Sequence, residues 1–119
     1  MQKRLRLRKR EDFSRVFKHG KAAANHQLVV YVKPSKDAES FRVGISASKK
    51  IGNAVVRNKM RRRLKEILRG METRIAKNVD IVVIVRKPAV ELEFSDLKRS
   101  VHHVLKRAGV LSPPPRDER

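Results

Sequence analysis

KKIGNAVVRNKMRRRLKEILR, residues 49–69, decides how the rest of this chain must be arranged. Wound as a helix over 54–69 at about 100° per residue, it has two unlike faces. Val56, Met60, Leu64, Ile67, Leu68 and, just beyond, Met71 fall in one apolar arc about 120° wide. Asn58, Arg61, Arg62, Lys65 and Arg69 fall in the adjoining arc, and Arg57 stands on the border, where its stem can pack while its head reaches outward. A solvated helix usually mixes Glu with Lys so that i,i+4 pairs form. Here no acid occurs from Ser40 through Lys65, so the cations repel one another unless a polyanion lies across them. The chemistry of that face points to a nucleic acid backbone.

Working outward, the whole chain carries the same message. A formal net charge of +19 on 119 residues is far beyond what solubility needs, and it suits counterion release at neutralised phosphates. The longest apolar run, residues 81–85, is too short to span a bilayer, and the start of the chain has no apolar stretch of the signal-peptide kind. There is no cysteine, hence no disulfide frame and no zinc finger or ribbon, and the four histidines are scattered. His102 and His103 are adjacent and point to different sides of a helix. The expectation is a soluble, intracellular single domain spanning 1–119, with a basic arm over 1–8 and a flexible, proline-containing tail over 112–119.

The remaining elements are short. Phe13, Val16 and Phe17 at i, i+3, i+4 predict a helix over 11–19 stopped by Gly20. Residues 28–32 form a β-rich run closed by Pro34. Over 41–48, Phe41, Val43, Ile45 and Ala47 alternate with Arg42, Gly44, Ser46 and Ser48, giving a buried face and a narrow polar one. The unbroken IVVIV within 80–86 suits a central strand covered on both sides. Ser95 is placed to cap a last helix carrying Leu97, Val101, Val104, Leu105 and Ala108 and closed by Gly109. The order describes a two-layer α/β (α+β) sandwich, with the two-faced helix as a crossover between parallel strands. The general expectation for such a crossover is right-handed.

Three blocks together resemble the protein subunit of bacterial ribonuclease P: EDFSRVFKHG from Glu11, RVGISASKKIGNAVVRNKMRRRLKE from Arg42, and VIVRKPA from Val83. The resemblance runs from Arg4 to about Leu111, and its central block is similar to the family's Arg-Asn-Arg signature. It implies a ribosomal protein S5 domain 2-like fold of order αβββαβα with a left-handed βαβ crossover. It implies a subunit of an endoribonuclease that removes the 5′ leader from precursor tRNA, with catalysis by the RNA subunit, magnesium bound mainly by that RNA, and a protein inactive alone. The implied partners are the catalytic RNA and precursor tRNA, one protein per RNA, in the bacterial cytoplasm and without a membrane.

Residue by residue, the resemblance assigns Lys49, Lys50, Arg57, Asn58, Arg61, Arg62 and Lys65 to RNA binding, and Asn53 in the same loop is added to them from its own chemistry. Where the family usually has Arg, Lys65 keeps the charge and gives up the two-pronged fork. Phe13, Phe17, Val29 and Tyr31 match positions that line the family's leader-binding cleft, to which the small polar side chains of Ser46 and Ser48 are added.

Without the family, the same residues keep other readings. An aromatic pair at i,i+4 is usually core, whereas rings left at a sheet surface can stack on unpaired bases. Tyr31 faces away from Val30 and Val32 and fits either a half-buried site or a sugar or phosphate contact. Gly52 and Asn53 suit a positive-φ turn with exposed amides at a helix start, a common anion site, and Asn53 also suits an N-cap. Ser46 and Ser48 either face water or leave room for a nucleic acid strand. A protein-borne nuclease needs clustered carboxylates for metals or a His-based acid and base. Asp80 and Glu66 are isolated, and Glu91, Glu93 and Asp96 lie at an ordinary loop–helix junction, so no catalytic or metal-binding residue is assigned. The alternatives are a ribosomal or assembly RNA-binding protein of S5-like fold, and a general polyanion binder.

Overall fold

The computed structural model describes residues 6–7, 9–36 and 40–113. They form α1 (Arg10–His19), β1 (Lys21–Ala24), β2 (Leu28–Pro34), β3 (Arg42–Ser46), α2 (Ala54–Arg69), β4 (Val79–Val85) and α3 (Phe94–Arg107), with single 3-10 turns between some of them. This is a mixed α+β fold with one four-stranded sheet in the order β1-β2-β4-β3. β4 is central, antiparallel to β2 and parallel to β3, and α2 makes the connection between the two parallel neighbours.

The IVVIV run takes that central place because both of its faces are covered. Ile81, Val83 and Val85 enter the main core with Leu28, Val30 and Val43 from the sheet, Phe41 just before β3, Met60, Leu64, Ile67 and Leu68 from α2, and Leu97, Val101, Val104 and Leu105 from α3. Each such side chain contributes roughly 1.5–3 kcal/mol when fully withdrawn from water. On the other face, Val82 forms a small second core with Leu7 and the fully buried Val16 of α1, flanked by Phe13, Tyr31 and Ile84. The sheet and the α2–α3 layer are the sandwich, and α1 lies across part of the opposite face.

α2 begins where the sequence places it. Asn53 Oδ1 accepts from the Val56 amide at 3.1 Å, meeting one of the orphan donors of the first turn. α3 differs from expectation. Ser95 lies inside its first turn, and the cap position is Glu93, which makes no side-chain capping bond. The chain reaches α3 from the 3-10 turn Lys87–Glu91, and the burial of Ala89 and Leu97 sets the entry point in place of a capping side chain. The far end of α3 is a Schellman closure: Gly109 at φ 78° donates to Lys106 O, Val110 donates to Leu105 O, and Val110 and Leu105 are both buried.

Three further expectations change. β1 comes from KAAA, which carries no strand signal of its own. It exists by pairing with β2 through a turn in which Asn25 Oδ1 accepts from the amides of Gln27 and Leu28. β3 ends at Ser46, not Ser48, because the chain then turns into the 3-10 turn Lys49–Ile51. Arg6 and Leu7, expected in the basic arm, are attached to β3: Leu7 is buried and its amide donates to Val43 O at 2.9 Å. At the other end Ser112 is bonded to Arg74 through backbone and side chain. The rest of the arm, residues 1–5 and 8, and of the tail, residues 114–119, lies outside the described residues.

Candidate nucleic-acid interface

The strand register builds the floor of a shallow cleft. On the face shared with α1, Val29 and Ser46 both lie level with Ile84, and Tyr31 and Gly44 both lie level with Val82. α1 covers only part of this floor, so its two rings meet different fates. Phe13 is half-buried, with its ring tip against Gly44; a Cβ at that glycine would stand 2.3 Å from Phe13 Cζ. Phe17 is 39% exposed and sits edge-on to Tyr31, with ring centroids 5.1 Å apart and planes at 81°. An edge-to-face pair leaves part of each ring free, which is what stacking on an unpaired base requires. The space that small side chains leave beside β3 is thus divided: at Gly44 the Phe13 ring takes it, and at Ser46 it stays at the cleft floor.

Ser48 does not join that floor. Beyond the end of β3 the alternation lapses, and Ser48 Oγ accepts from the Lys50 amide at 3.3 Å as the cap of the 3-10 turn. Lys49 and Lys50 are exposed on the turn, and the buried Ile51 anchors it to the core. Gly52 is required here: its φ is 153°, and an added Cβ would lie 2.9 Å from Val56 Cβ. Asn53, expected with Gly52 in a positive-φ turn, has φ −76° instead, and its side-chain oxygen is committed to the cap.

On α2, Asn58 and Arg62 are exposed, while Arg57, Arg61 and Lys65 are half-buried. Arg57 Nε is buried with no hydrogen-bond partner, which leaves an unmet donor at the border of the basic face. Arg61 is held in place, donating to Asn58 Oδ1 at 3.3 Å and to Ala47 O at 3.4 Å. Arg63 goes the other way, toward Leu92 O at 3.4 Å, and serves the packing of α2 on the following layer.

Two surfaces that look separate in the sequence are joined. A recess of about 130 Å³ beside β3 is lined by Arg6, Leu7, Phe13, Val43, Gly44, Ile45, Arg61 and Lys65. Arg61 and Lys65 of the basic helix therefore face the same groove as Phe13. Arg6 is the residue that the sequence does not single out for this place; its alternation with Leu5 and Leu7 is the one available signal. The acids do little to neutralise the cations. Asp12, Glu66 and Asp96 pair with Arg15, Arg69 and Arg99 on their own helices, and Asp80 is buried against Arg42.

A basic helix beside a ring-bearing, partly open sheet face has the chemistry to meet RNA with both paired and unpaired segments. The family model described as Ribonuclease P matches residues 1–109 of the sequence. The chain belongs to the ribonuclease P protein family. Among curated relatives, the ribonuclease P protein component of Listeria innocua is 41% identical over 119 residues, covering all of both chains. Among solved structures, the Staphylococcus aureus RNase P protein superposes with a TM-score of 0.86 at 42% identity, over 91% of this chain and 98% of that one. A Staphylococcus aureus RNase P protein mutant described as having defective mRNA degradation activity gives a TM-score of 0.86 at 42% identity, over 90% of each chain. The chain thus shares both sequence and overall fold with these ribonuclease P proteins. Among the described residues, no helix is long and apolar enough to cross a membrane.

Proposed function

We propose that this chain is the protein subunit of ribonuclease P, in which it binds the catalytic RNA and the 5′ leader of precursor tRNA and promotes removal of that leader. The observation that carries this reading is the exposed Phe17 ring set against Tyr31 on an open sheet face, with the acid-free basic face of α2 beside it. Lys49, Lys50, Arg57, Asn58, Arg62 and Lys65 present cations and an amide to the phosphates of structured RNA. Phe17, Tyr31, Val29 and Ser46 offer rings, an apolar ledge and a hydroxyl to an unpaired strand, and Arg61 serves both from the groove edge. Asn53 acts by starting α2 and Ser48 by fixing the loop of Lys49 and Lys50.

Hydrolysis is assigned to the RNA subunit, with one protein per RNA in the bacterial cytoplasm. Four of the acids are committed to neighbouring arginines, and among the described residues no group of three or more His, Cys, Asp or Glu could hold a metal ion. Magnesium is assigned mainly to the RNA. The family relationship does not favour the alternative of a ribosomal or assembly protein.

Reconstitution tests the reading. Precursor tRNA is incubated with rigorously RNA-free protein, with catalytic RNA at low magnesium, and with both. Cleavage at the leader junction is expected to be strongest in the mixture and absent with protein alone; robust cleavage by protein alone would overturn the assignment of catalysis. An mRNA fragment run in parallel asks whether the activity named for the Staphylococcus aureus protein extends to this chain. Folded Phe17→Ala and Tyr31→Ala variants should lose about 1–3 kcal/mol of binding to precursor tRNA and little to mature tRNA. Arg57→Ala and Arg62→Ala should instead weaken assembly with the catalytic RNA. The reverse pattern would mean that the two surfaces are assigned the wrong way round.

A further inference from the structure

A second recess lies on the helical layer, and none of its residues belongs to the groove. It opens between the 3-10 turn Glu72–Arg74, α3 and residues 111–113, encloses about 280 Å³, and is lined by Arg74, His102, Lys106, Leu111, Ser112 and Pro113. Three of these side chains are cationic or can become so, and none is acidic. His102 and Lys106 are four residues apart on α3 and share a face. Arg74 Nη2 lies 2.8 Å from His102 Nε2; a guanidinium only donates, so the imidazole accepts there and is neutral. Arg74 is fixed from behind as well, its Nε donating to Ser112 O at 3.0 Å while Ser112 Oγ donates to Arg74 O at 3.0 Å.

Such a site holds positive charge beside the apolar surface of Leu111 and Pro113, with no acidic side chain among the described residues that line it. We propose that the recess is a seat for a single nucleotide of an RNA strand, its phosphate held by Arg74, His102 and Lys106 and its base or ribose resting on Leu111 and Pro113. A free phosphate shares the first half of this chemistry and lacks the second.

The seat couples binding to a proton. Burial, together with the charges of Arg74 and Lys106, holds the pKa of His102 below its ordinary value while the recess is empty. Those are the charged groups facing it from the turn and from its own helix; Leu111, Ser112 and Pro113 bring none. A phosphate among the three groups reverses the balance, since a protonated His102 can then donate to it beside Arg74. Binding then takes up a proton and tightens as pH falls toward the ordinary imidazole range.

Proton NMR of the full chain reads this directly, with His19, His26 and His103 as internal references. Inorganic phosphate, uridine 5′-monophosphate and a uridine trinucleotide are titrated separately at constant ionic strength against chloride. The His102 ring resonances should shift saturably and their pH midpoint should move upward with each phosphate, and the two nucleotides should bind more tightly than inorganic phosphate. Lys106→Gln, at an exposed position that does not endanger folding, should weaken binding about tenfold, and Arg74→Gln should do the same. A His102 signal indifferent to all three ligands, or binding unchanged in Lys106→Gln, would overturn the seat. Equal affinity for inorganic phosphate and the nucleotides would overturn its assignment to RNA.

Discussion

Replacing Gly44 by alanine tests whether the cleft owes its depth to the absence of one methyl group. An alanine Cβ would stand 2.3 Å from Phe13 Cζ and 2.7 Å from Cε1, where carbon atoms prefer about 3.5–4.0 Å. The ring must withdraw by more than about 1 Å. α1 is held against lifting because Val16 is fully buried in the second core with Leu7 and Val82. The ring itself must swing, out of the groove that it lines with Arg61 and Lys65. Overpacking of this kind costs about 1–3 kcal/mol, and a mobile ring tip places Gly44→Ala in the lower half of that range. The assay is urea unfolding at fixed phosphate concentration, together with the difference in affinity between precursor and mature tRNA. Phe13→Leu shortens the offending side chain, so the double variant should recover part of the loss, with a coupling of at least about 1 kcal/mol. If Gly44→Ala leaves stability unchanged, or the two substitutions add within about 0.5 kcal/mol, the ring does not depend on that glycine and the reasoning fails.

Three further outcomes are expected. With about 6–8 phosphates neutralised, affinity for the RNA partner should fall with salt at a log–log slope of roughly −4 to −7, and a nearly flat dependence would remove the basic face of α2 as the contact surface. Arg42 Nε and Nη2 each donate to a different oxygen of Asp80 at 2.8 Å, and Asp80 is 3% exposed, so Arg42→Ala should cost about 3–5 kcal/mol in chemical denaturation by leaving a buried carboxylate behind; a loss under about 1 kcal/mol would mean that the pair does not hold β3 to β4. Because the folded pKa of His102 is held below its ordinary value of 6.5, the unfolded chain binds that proton more readily, so this group's contribution makes stability in chloride fall as pH drops through that value. His102→Gln should flatten that slope, and a slope unchanged by the substitution would refute the linkage.

What the sequence reveals follows from where its forces are local. The span of α2 is readable because an apolar period and an N-capping Asn53 coincide within one segment. β4 is readable because five consecutive apolar residues have no solvated face to offer. β1 is not, since Lys21 and three alanines become a strand only through hydrogen bonds to β2, which lies beyond a turn. The cap of α3 misleads for the same reason: Ser95 has the better local chemistry, and the packing of Ala89 and Leu97 overrides it. Of the site, the cationic face of α2 and the outward turn of Tyr31 follow from periodicity. The division of labour between Phe13 and Phe17 does not, because it depends on Gly44, thirty-one positions from Phe13 and adjacent only after the sheet has formed.

The groove also changes how the two binding surfaces relate. Had the basic helix and the ring-bearing cleft lain on opposite sides of the sheet, each could meet its ligand independently. Instead Arg61, fastened to Asn58 and to the carbonyl of Ala47, lines the recess whose other wall is Phe13, and Lys65 stands one turn further along the same edge. A phosphate held by Arg61 would therefore lie within the field felt by a strand passing Phe13 and Gly44. The buried attachment of Leu7 to Val43 fixes Arg6 on the remaining side, adding a third cation to this meeting point. Under the proposed function catalytic RNA and leader meet at a common edge of β3, and neutralising that edge with one of them lowers the repulsion that the protein's own cations impose on its fold. Through charge alone two polyanions at one edge repel each other, so under the proposed function their joint binding rests on contacts that each makes away from that edge, along α2 for the one and at the Phe17 and Tyr31 rings for the other.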